Sequence, residues 1–106
     1  MTVTVRDVPE HHRYEIYDGE QRVGLSTYSL HGNTIAFIHT EVDPAFGGRG
    51  LAKQLVEFEL EDARRRGLSV IPWCPYVRKV IADNPAAYVD LVPESERAQF
   101  DLTAQS

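Results

Sequence analysis

The feature that most constrains this chain is a change of pattern at Pro44, where a strand-like stretch gives way to a helix-like one. Apolar residues before Pro44 alternate with a period of two, whereas those after Gly50 recur at helical spacing. The turn between them, Gly47–Gly50, contains three glycines and Arg49. Such a turn at a helix N-terminus gathers backbone N–H groups that attract anions, phosphates above all. We therefore expect a phosphate-bearing ligand here; a plain tight turn is the simpler alternative.

Before this junction, four strand-like segments are separated by turn signals. The first, Val3–Val8, is stopped by Pro9, and the second, Arg13–Asp18, ends at an Asp-Gly pair that favours a hairpin. The return strand Arg22–Leu30 leads through another turn to Thr34–Val42. This order predicts an antiparallel meander.

Strict alternation along the fourth strand sorts its side chains between two faces. One face holds Ile35, Phe37 and His39. The other face holds Ala36, Ile38 and Thr40. Both faces are largely apolar, so we expect a central strand that is covered on both sides.

After the junction, a helix is predicted from Leu51 to the arginines that precede Gly67. Its apolar residues, which fall on or beside one face, are Leu51, Ala52, Leu55, Val56, Phe58, Leu60 and Ala63. A further strand, Leu68–Cys74, follows, and this order implies a right-handed crossover and a parallel pair with Thr34–Val42. Because Pro72 has no N–H to donate, we expect the two parallel strands to part near their carboxyl ends.

The remainder of the chain predicts short helical pieces and a polar tail. Pro75 suits a first helical position, Tyr76–Ala82 forms a short helix, and a proline at position 85 ends it. We expect a single domain over residues 1–92 and a polar C-terminal extension over residues 93–106 that lies on the surface.

The composition of the chain indicates which classes of ligand and partner it can bind. The formal net charge of −5 argues against nucleic acid and leans toward a cationic substrate. The sequence shows neither an apolar run of roughly 20 residues nor the pattern of a signal peptide, so we expect no membrane and a cytoplasmic location. A single cysteine excludes an internal disulfide, and four scattered histidines do not have metal-ligand spacing, so we expect no metal.

Two side chains with catalytic potential fall near the carboxyl ends of the predicted parallel pair, where ligands of open sheets bind. Cys74 precedes the helix started by Pro75, and a helix N-terminus favours a thiolate over a thiol. His39 stands toward the end of the other strand, where an imidazole near the thiol would act as base to a nucleophile. The alternatives are a buried inert thiol and a structural histidine, and periodicity does not fix their separation.

Several segments together resemble the short, single-domain branch of the GCN5-related N-acetyltransferases. The glycine-rich loop is similar to the acetyl-coenzyme-A loop of that superfamily, Gln/Arg-x-x-Gly-x-Gly/Ala, except that Gly47 occupies the position usually held by Gln or Arg. The other matching segments are His39–Val42, Ile71–Val77, Asn84-Pro85 and Tyr88–Val92. The similarity runs from about Tyr14 to Val92, most of the chain.

The resemblance implies an α/β (α+β) fold with a mixed sheet, in which an antiparallel meander leads into a strand–helix–strand parallel pair and a short C-terminal helix. The pantetheine arm of coenzyme A would enter a wedge between the parallel strands, and its pyrophosphate would meet the N–H groups of the loop. The cofactor-binding residues implied are Val42, Gly47, Gly48, Arg49, Gly50, Leu51, Ala52, Lys53 and Tyr76. Cys74 and His39 would be the reactive pair.

The implied activity is acetyl transfer from acetyl-coenzyme A to an unidentified amine, either a small molecule or a protein amine. In a direct route, His39 or Glu41 would be the base and a strand N–H near Val42 would stabilise the oxyanion; Tyr76 would protonate the departing thiolate. In a two-step route, Cys74 would take the acetyl group first. The alternatives are a coenzyme-A-binding or protein-interaction module with little or no catalysis, and a structural domain that binds no coenzyme. The oligomeric state is not predicted.

Overall fold

The structure, a computed structural model, describes residues 2–102. Its strands and helices are β1 (Val3–Val8), β2 (Arg13–Asp18), β3 (Gln21–His31), β4 (Thr34–Val42), α1 (Leu51–Arg65), β5 (Ser69–Pro72), α2 (Pro75–Asp83), α3 (Pro85–Tyr88) and α4 (Glu94–Arg97). The strands form one sheet in the order β1–β2–β3–β4–β5, which is antiparallel except for the pair β4–β5. The predicted mixed α+β architecture is confirmed. Within the described residues, no helix combines the length and the apolar character that crossing a bilayer requires.

The β2–β3 hairpin forms at the predicted Asp-Gly pair. Gly19 has a φ of +62°, a left-handed conformation that glycine adopts at little cost. Strand β1 pairs with β2 from Val3 opposite Asp18 to Val8 opposite Arg13 and forms one edge of the sheet.

Helix α1 packs along one face of the sheet and supplies much of the core, including Leu51, Leu55, Val56, Leu60 and Ala63. Phe58, which the pattern places on or beside the apolar face, lies beside it. Its side chain is 43% exposed, and its ring meets that of Tyr14 edge-on at the margin of the helix, with a centroid distance of 6.2 Å. Two acidic residues, Glu59 and Asp62, are buried instead.

Asp62 is buried within a satisfied polar network. The Tyr14 hydroxyl donates to its carboxylate at 2.5 Å, Arg66 approaches the same oxygen at 3.3 Å, and Arg65 donates to the other oxygen. Burial alone would raise the pKa of Asp62, but these three donors outweigh it and hold that pKa below its ordinary value. The network ties the carboxyl end of α1 to β2.

The two parallel strands part where the sequence predicts. Their pairing begins at Thr34 opposite Ser69 and ends at Phe37 opposite Pro72. Beyond this point β4 continues to Val42. The segment that follows β5 turns away from β4, and its Cys74 N–H donates to the Phe37 carbonyl at 2.9 Å. A wedge therefore opens beside the second half of β4.

A β-bulge in β4 overturns the predicted alternation of this strand. Tyr28 lies opposite Phe37 and Thr27 lies opposite His39, so Ile38 is an extra residue. Since Ser26, which lies opposite Thr40, is on the same side of β3 as Tyr28, Thr40 shares the face of Phe37.

The same bulge changes which parts of β4 are covered. The predicted cover on both faces of this strand is not found, because the Ile38 side chain is 47% exposed. His39 also turns outward, with a side chain that is 60% exposed. The bulge thus places a threonine, not the histidine, under α1.

The C-terminal residues pack more closely than a surface extension would. Phe100 and Leu102 are 4% and 5% exposed and join the core. The Phe100 ring meets Trp73 edge-on, with a centroid distance of 5.1 Å. Residues 93–102 therefore cover the segment between β5 and α2, while the last four residues of the predicted extension lie outside the described chain.

Candidate functional site

The junction between β4 and α1 is built to expose backbone rather than side chains. A 3-10 turn, Pro44–Phe46, is capped by the Asp43 carboxylate, which accepts from the Ala45 N–H at 2.9 Å. Gly48 and Gly50 then adopt φ values of +80° and +73°. A Cβ at either position would meet no atom within 4 Å, so the backbone conformation, not crowding, favours glycine.

Helix α1 begins with unpaired donors directed at this junction. Its first backbone hydrogen bond runs from the Gln54 N–H to the Gly50 carbonyl, at 3.1 Å. The N–H groups of Leu51, Ala52 and Lys53 come before it and have no acceptor inside the helix. Together with the positive end of the helix dipole, they can bind an anion.

A groove of about 210 Å³ lies at this helix N-terminus. Its lining comprises Val42, Phe46, Gly47, Gly48, Gly50, Leu51, Ala52, Lys53 and Tyr76. The structure thus collects around one groove all the residues that the sequence assigned to cofactor binding, except Arg49. It adds Phe46, which the sequence analysis missed because no periodic pattern marks a residue within a turn.

Arg49 is directed elsewhere. Its guanidinium lies 3.2 Å from the Asp18 carboxylate and stands over the Phe46 ring, 5.3 Å from the centroid. The side chain therefore fastens the junction to the β2–β3 hairpin.

A second cleft of about 460 Å³ continues from the groove between α1 and α2, with Lys53 and Tyr76 common to both. The pKa of Tyr76 is raised, first by burial, and the charge of Glu57 adds to the effect. A protonated tyrosine is a hydrogen-bond donor, so the shared wall presents an ammonium group and a hydroxyl to any ligand that runs from one space to the other.

Cys74 lies at the inner end of the wedge. It is the N-terminal cap residue of α2 and is 3% exposed. Its thiol lies 3.4 Å from the Thr40 hydroxyl, which in turn lies 3.3 Å from the Ser26 hydroxyl. The bulge in β4 directs the Thr40 side chain inward and so brings its hydroxyl close to Cys74 and Ser26.

His39 and Cys74 have different neighbours. The His39 imidazole Nε2 lies 3.7 Å from a carboxylate oxygen of Glu41, and both side chains are about 60% exposed. Among the hydrogen bonds of residues 2–102, none joins His39 to Cys74. The structure therefore places a solvent-facing His39–Glu41 pair and a buried thiol as two separate groups.

Glu59 completes the inner cluster from the side of α1. Its side chain is fully buried, and neither carboxyl oxygen has a hydrogen-bond partner in the described chain. Burial raises the pKa of Glu59 well above its ordinary value, and the charge of Cys74 raises it further. The sequence analysis overlooked Glu59, although it lies four residues after Leu55 and four before Ala63, within the apolar stripe.

A polar groove of about 340 Å³ lies at the ends of β3 and β4, and its charged lining residues are Glu41, Asp43 and Arg22. It shares Val42 with the groove at α1. Within the described residues, no cluster of three or more metal-ligating side chains is present.

Comparison with known proteins agrees with this architecture. The solution structure of a GCN5-like protein from Staphylococcus aureus superposes with a TM-score of 0.63 and 25% sequence identity, over 85% of this chain and 87% of that one. "Protein NATD1" from Xenopus tropicalis is 36% identical over 52 residues, which are 49% of this chain and 48% of that protein. The match thus spans about half the length of this curated relative. The sequence model described as GCN5-related N-acetyl-transferase matches residues 13–91, and the chain therefore belongs to that family.

Proposed function

We propose that this chain transfers the acetyl group of acetyl-coenzyme A to an amine. The observation that carries the proposal is the groove at the N-terminus of α1, which lies beside the wedge between β4 and β5. The unpaired N–H groups of α1 would hold the pyrophosphate, and the wedge would take the thin pantetheine arm. Membership of an acetyltransferase family supports this assignment.

Charge favours a cationic acceptor that approaches from the groove at the ends of β3 and β4. Glu41 and Asp43 outnumber Arg22 in its lining, and the chain carries a formal net charge of −5. The exposed His39–Glu41 pair is the proposed base that takes a proton from the amine. The amine nitrogen then bonds to the thioester carbonyl carbon, the carbon–sulfur bond breaks, and coenzyme A leaves as its thiol after protonation by Tyr76.

Two routes to this product remain as proposals. The amine attacks the coenzyme thioester directly, or Cys74 first takes the acetyl group and then passes it to the amine. Intact mass spectrometry after incubation with acetyl-coenzyme A distinguishes them, because the chain has one cysteine. Absence of an adduct, together with full activity of Cys74→Ala, would eliminate the two-step route.

Titration calorimetry with coenzyme A tests the binding site. Ala52 lines the groove in the first turn of α1, so Ala52→Asp should keep the helix but place a carboxylate where the pyrophosphate would lie. We expect at least a roughly tenfold loss of affinity. Gln54→Glu is the control: it adds the same charge to the exposed side of the helix and should change affinity little.

A screen of amines and peptides with acetyl-coenzyme A tests the chemistry. Binding of coenzyme without turnover of any acceptor would identify a coenzyme-binding module. If the unmodified chain did not bind coenzyme A, the glycine-rich turn would serve only as a connection between strand and helix.

A further inference from the structure

The face of the sheet that is turned away from α1 carries charged side chains from three neighbouring strands. Glu15 of β2 lies opposite Leu25 of β3, which in turn lies opposite Glu41 of β4. Side chains directly opposite each other in antiparallel strands share a face. The neighbour of Glu15 in β2, Tyr14, is buried against Asp62 of α1, so Glu15 and Glu41 belong to the other face.

Glu15 is the centre of a cluster on this face, and it is only 4% exposed. Arg13 donates from Nε to one of its carboxylate oxygens at 2.7 Å, and Nη1 of Arg22 lies 3.5 Å from the same oxygen. The Tyr17 hydroxyl donates to the other oxygen at 2.7 Å. Two guanidinium groups therefore share one carboxylate, which leaves the cluster with an uncompensated positive charge.

Arg22 connects this cluster to the groove at the ends of β3 and β4, which it also lines. Its side chain is 45% exposed, and Glu15 is its one ion-pair partner within residues 2–102. Arg22 comes from β3, whereas Glu41 and Asp43, the carboxylates of the groove, come from the end of β4 and the turn after it. The groove therefore offers a cation and two anions to the same ligand.

We propose that the acceptor is a small amine with a carboxylate of its own, which Arg22 binds while the amine lies at the His39–Glu41 pair. The inference rests on the proposed function, which places the amine at that pair. A volume of about 340 Å³ is at the lower end of ligand pockets, so the groove suits a molecule of amino-acid size. A guanidinium group that is already held by Glu15 can bind a second carboxylate through its remaining N–H donors.

Arg6 lies on the same face, but at the edge strand β1 and outside the lining of this groove. Its guanidinium stands over the Tyr17 ring, 4.4 Å from the centroid, and donates to the Tyr17 hydroxyl at 2.9 Å. Arg6 therefore carries the same charge as Arg22 on the same face without reaching the proposed carboxylate site. Its substitution is the matched control for a general effect of charge.

Titration of the isotope-labelled chain with ω-aminohexanoate, followed by nuclear magnetic resonance, tests the proposal without coenzyme. The matched probe is ω-aminohexanamide, which keeps the amine and replaces only the carboxylate. We expect the acid to bind at least about tenfold more tightly, because the amide cannot form a charge-assisted pair with Arg22. The backbone N–H signals of residues 41–43 and the Nε–H signal of Arg22 should shift together with the acid.

Arg22→Gln should lower the affinity for the acid to that for the amide, and Arg22→Lys should recover part of it, since lysine keeps the charge but not the planar fork. Arg6→Gln should change neither affinity by more than about twofold. Equal affinities for acid and amide, no binding of the acid, or equal losses in Arg22→Gln and Arg6→Gln would overturn the proposal. Binding of the acid through Arg22 without its acetylation would support this inference and contradict the proposed function alone.

Discussion

Helix α1 buries two carboxyl groups that differ in nearly every respect except their helix. Asp62 has a hydroxyl and two guanidinium groups around it, and its pKa is held below the ordinary value. Glu59, less than one turn earlier, has no hydrogen-bond partner among the described residues, and its pKa is raised. The surroundings of Asp62 stabilise an ionised carboxylate, whereas those of Glu59 favour a neutral carboxylic acid.

The contrast separates a carboxyl that ties two elements of the fold together from one that makes no such tie. Asp62 joins α1 to β2 at the far end from the groove, and each of its partners would lose a bond without it. Glu59 makes no such tie, and its neighbours Ser26 and Cys74 lie on the way to the wedge. Substitutions at the two positions should therefore move stability in opposite directions.

The largest expected effect is on Asp62→Ala. The change leaves the Tyr14 hydroxyl buried without an acceptor and removes the charge that Arg66 faces, so the free energy of unfolding should fall by about 3 kcal/mol. Urea unfolding measures it. A loss below about 0.5 kcal/mol is typical of a surface position without partners, and it would contradict a stabilising role for Asp62.

Tyr14→Phe removes one member of the Asp62 network while keeping the ring in the core. The lost bond ends on a charged oxygen, so we expect a loss of about 2 kcal/mol. The double variant with Asp62→Ala should lose less than the sum of the two, because both changes delete the same bond. Strict additivity would show that the hydroxyl and the carboxylate act separately.

Glu59→Leu should stabilise the chain, by about 1–2 kcal/mol near pH 5, since it replaces an unsatisfied carboxyl with an apolar group. Urea unfolding measures this change as well, and Asp62→Leu is the matched control with the opposite sign. If Glu59→Leu destabilised the chain, an internal partner that satisfies Glu59 would have to exist.

The smallest expected effect is on the pH dependence of the free energy of unfolding. Glu59 has a raised pKa in the fold, so between its ordinary value of 4.5 and its folded value the native state binds more protons than the unfolded state, and stability falls as pH rises. Glu59→Gln should remove up to about 1.4 kcal/mol of that fall per pH unit. Asp62 has the reverse sign: its contribution is present above its ordinary value of 3.8 and is lost as pH falls through its lowered folded value.

Unfolding of the three chains (unmodified, Glu59→Gln and Asp62→Asn) across this range checks both signs. Parallel curves for the unmodified chain and Glu59→Gln above pH 4.5 would contradict a neutral Glu59.

The order of elements and the junction at α1 were predictable from the sequence because each rests on local chemistry. The Asp-Gly pair makes the β2–β3 turn, Pro72 ends the parallel pairing, and the glycines around Arg49 free the start of α1. Each is a backbone property of one or two residues, and none depends on distant contacts.

The inner cluster was not predicted because it depends on contacts between strands. Nothing in the composition of β4 marks a bulge at Ile38, yet that bulge exchanges the places of His39 and Thr40. Glu59 was detectable in principle, since it interrupts an otherwise apolar stripe. Phe58 shows the converse: a strongly apolar residue at the edge of the stripe stays half exposed.

The contact between Trp73 and Phe100 gives the chain an intrinsic optical probe. Trp73 is the single tryptophan, adjoins Cys74 in sequence and is 52% exposed. Its emission therefore reports from one place: the segment that the C-terminal residues cover. Detachment of the C-terminal residues would separate Trp73 from Phe100 and change its fluorescence, so the packing of this segment can be followed without any label.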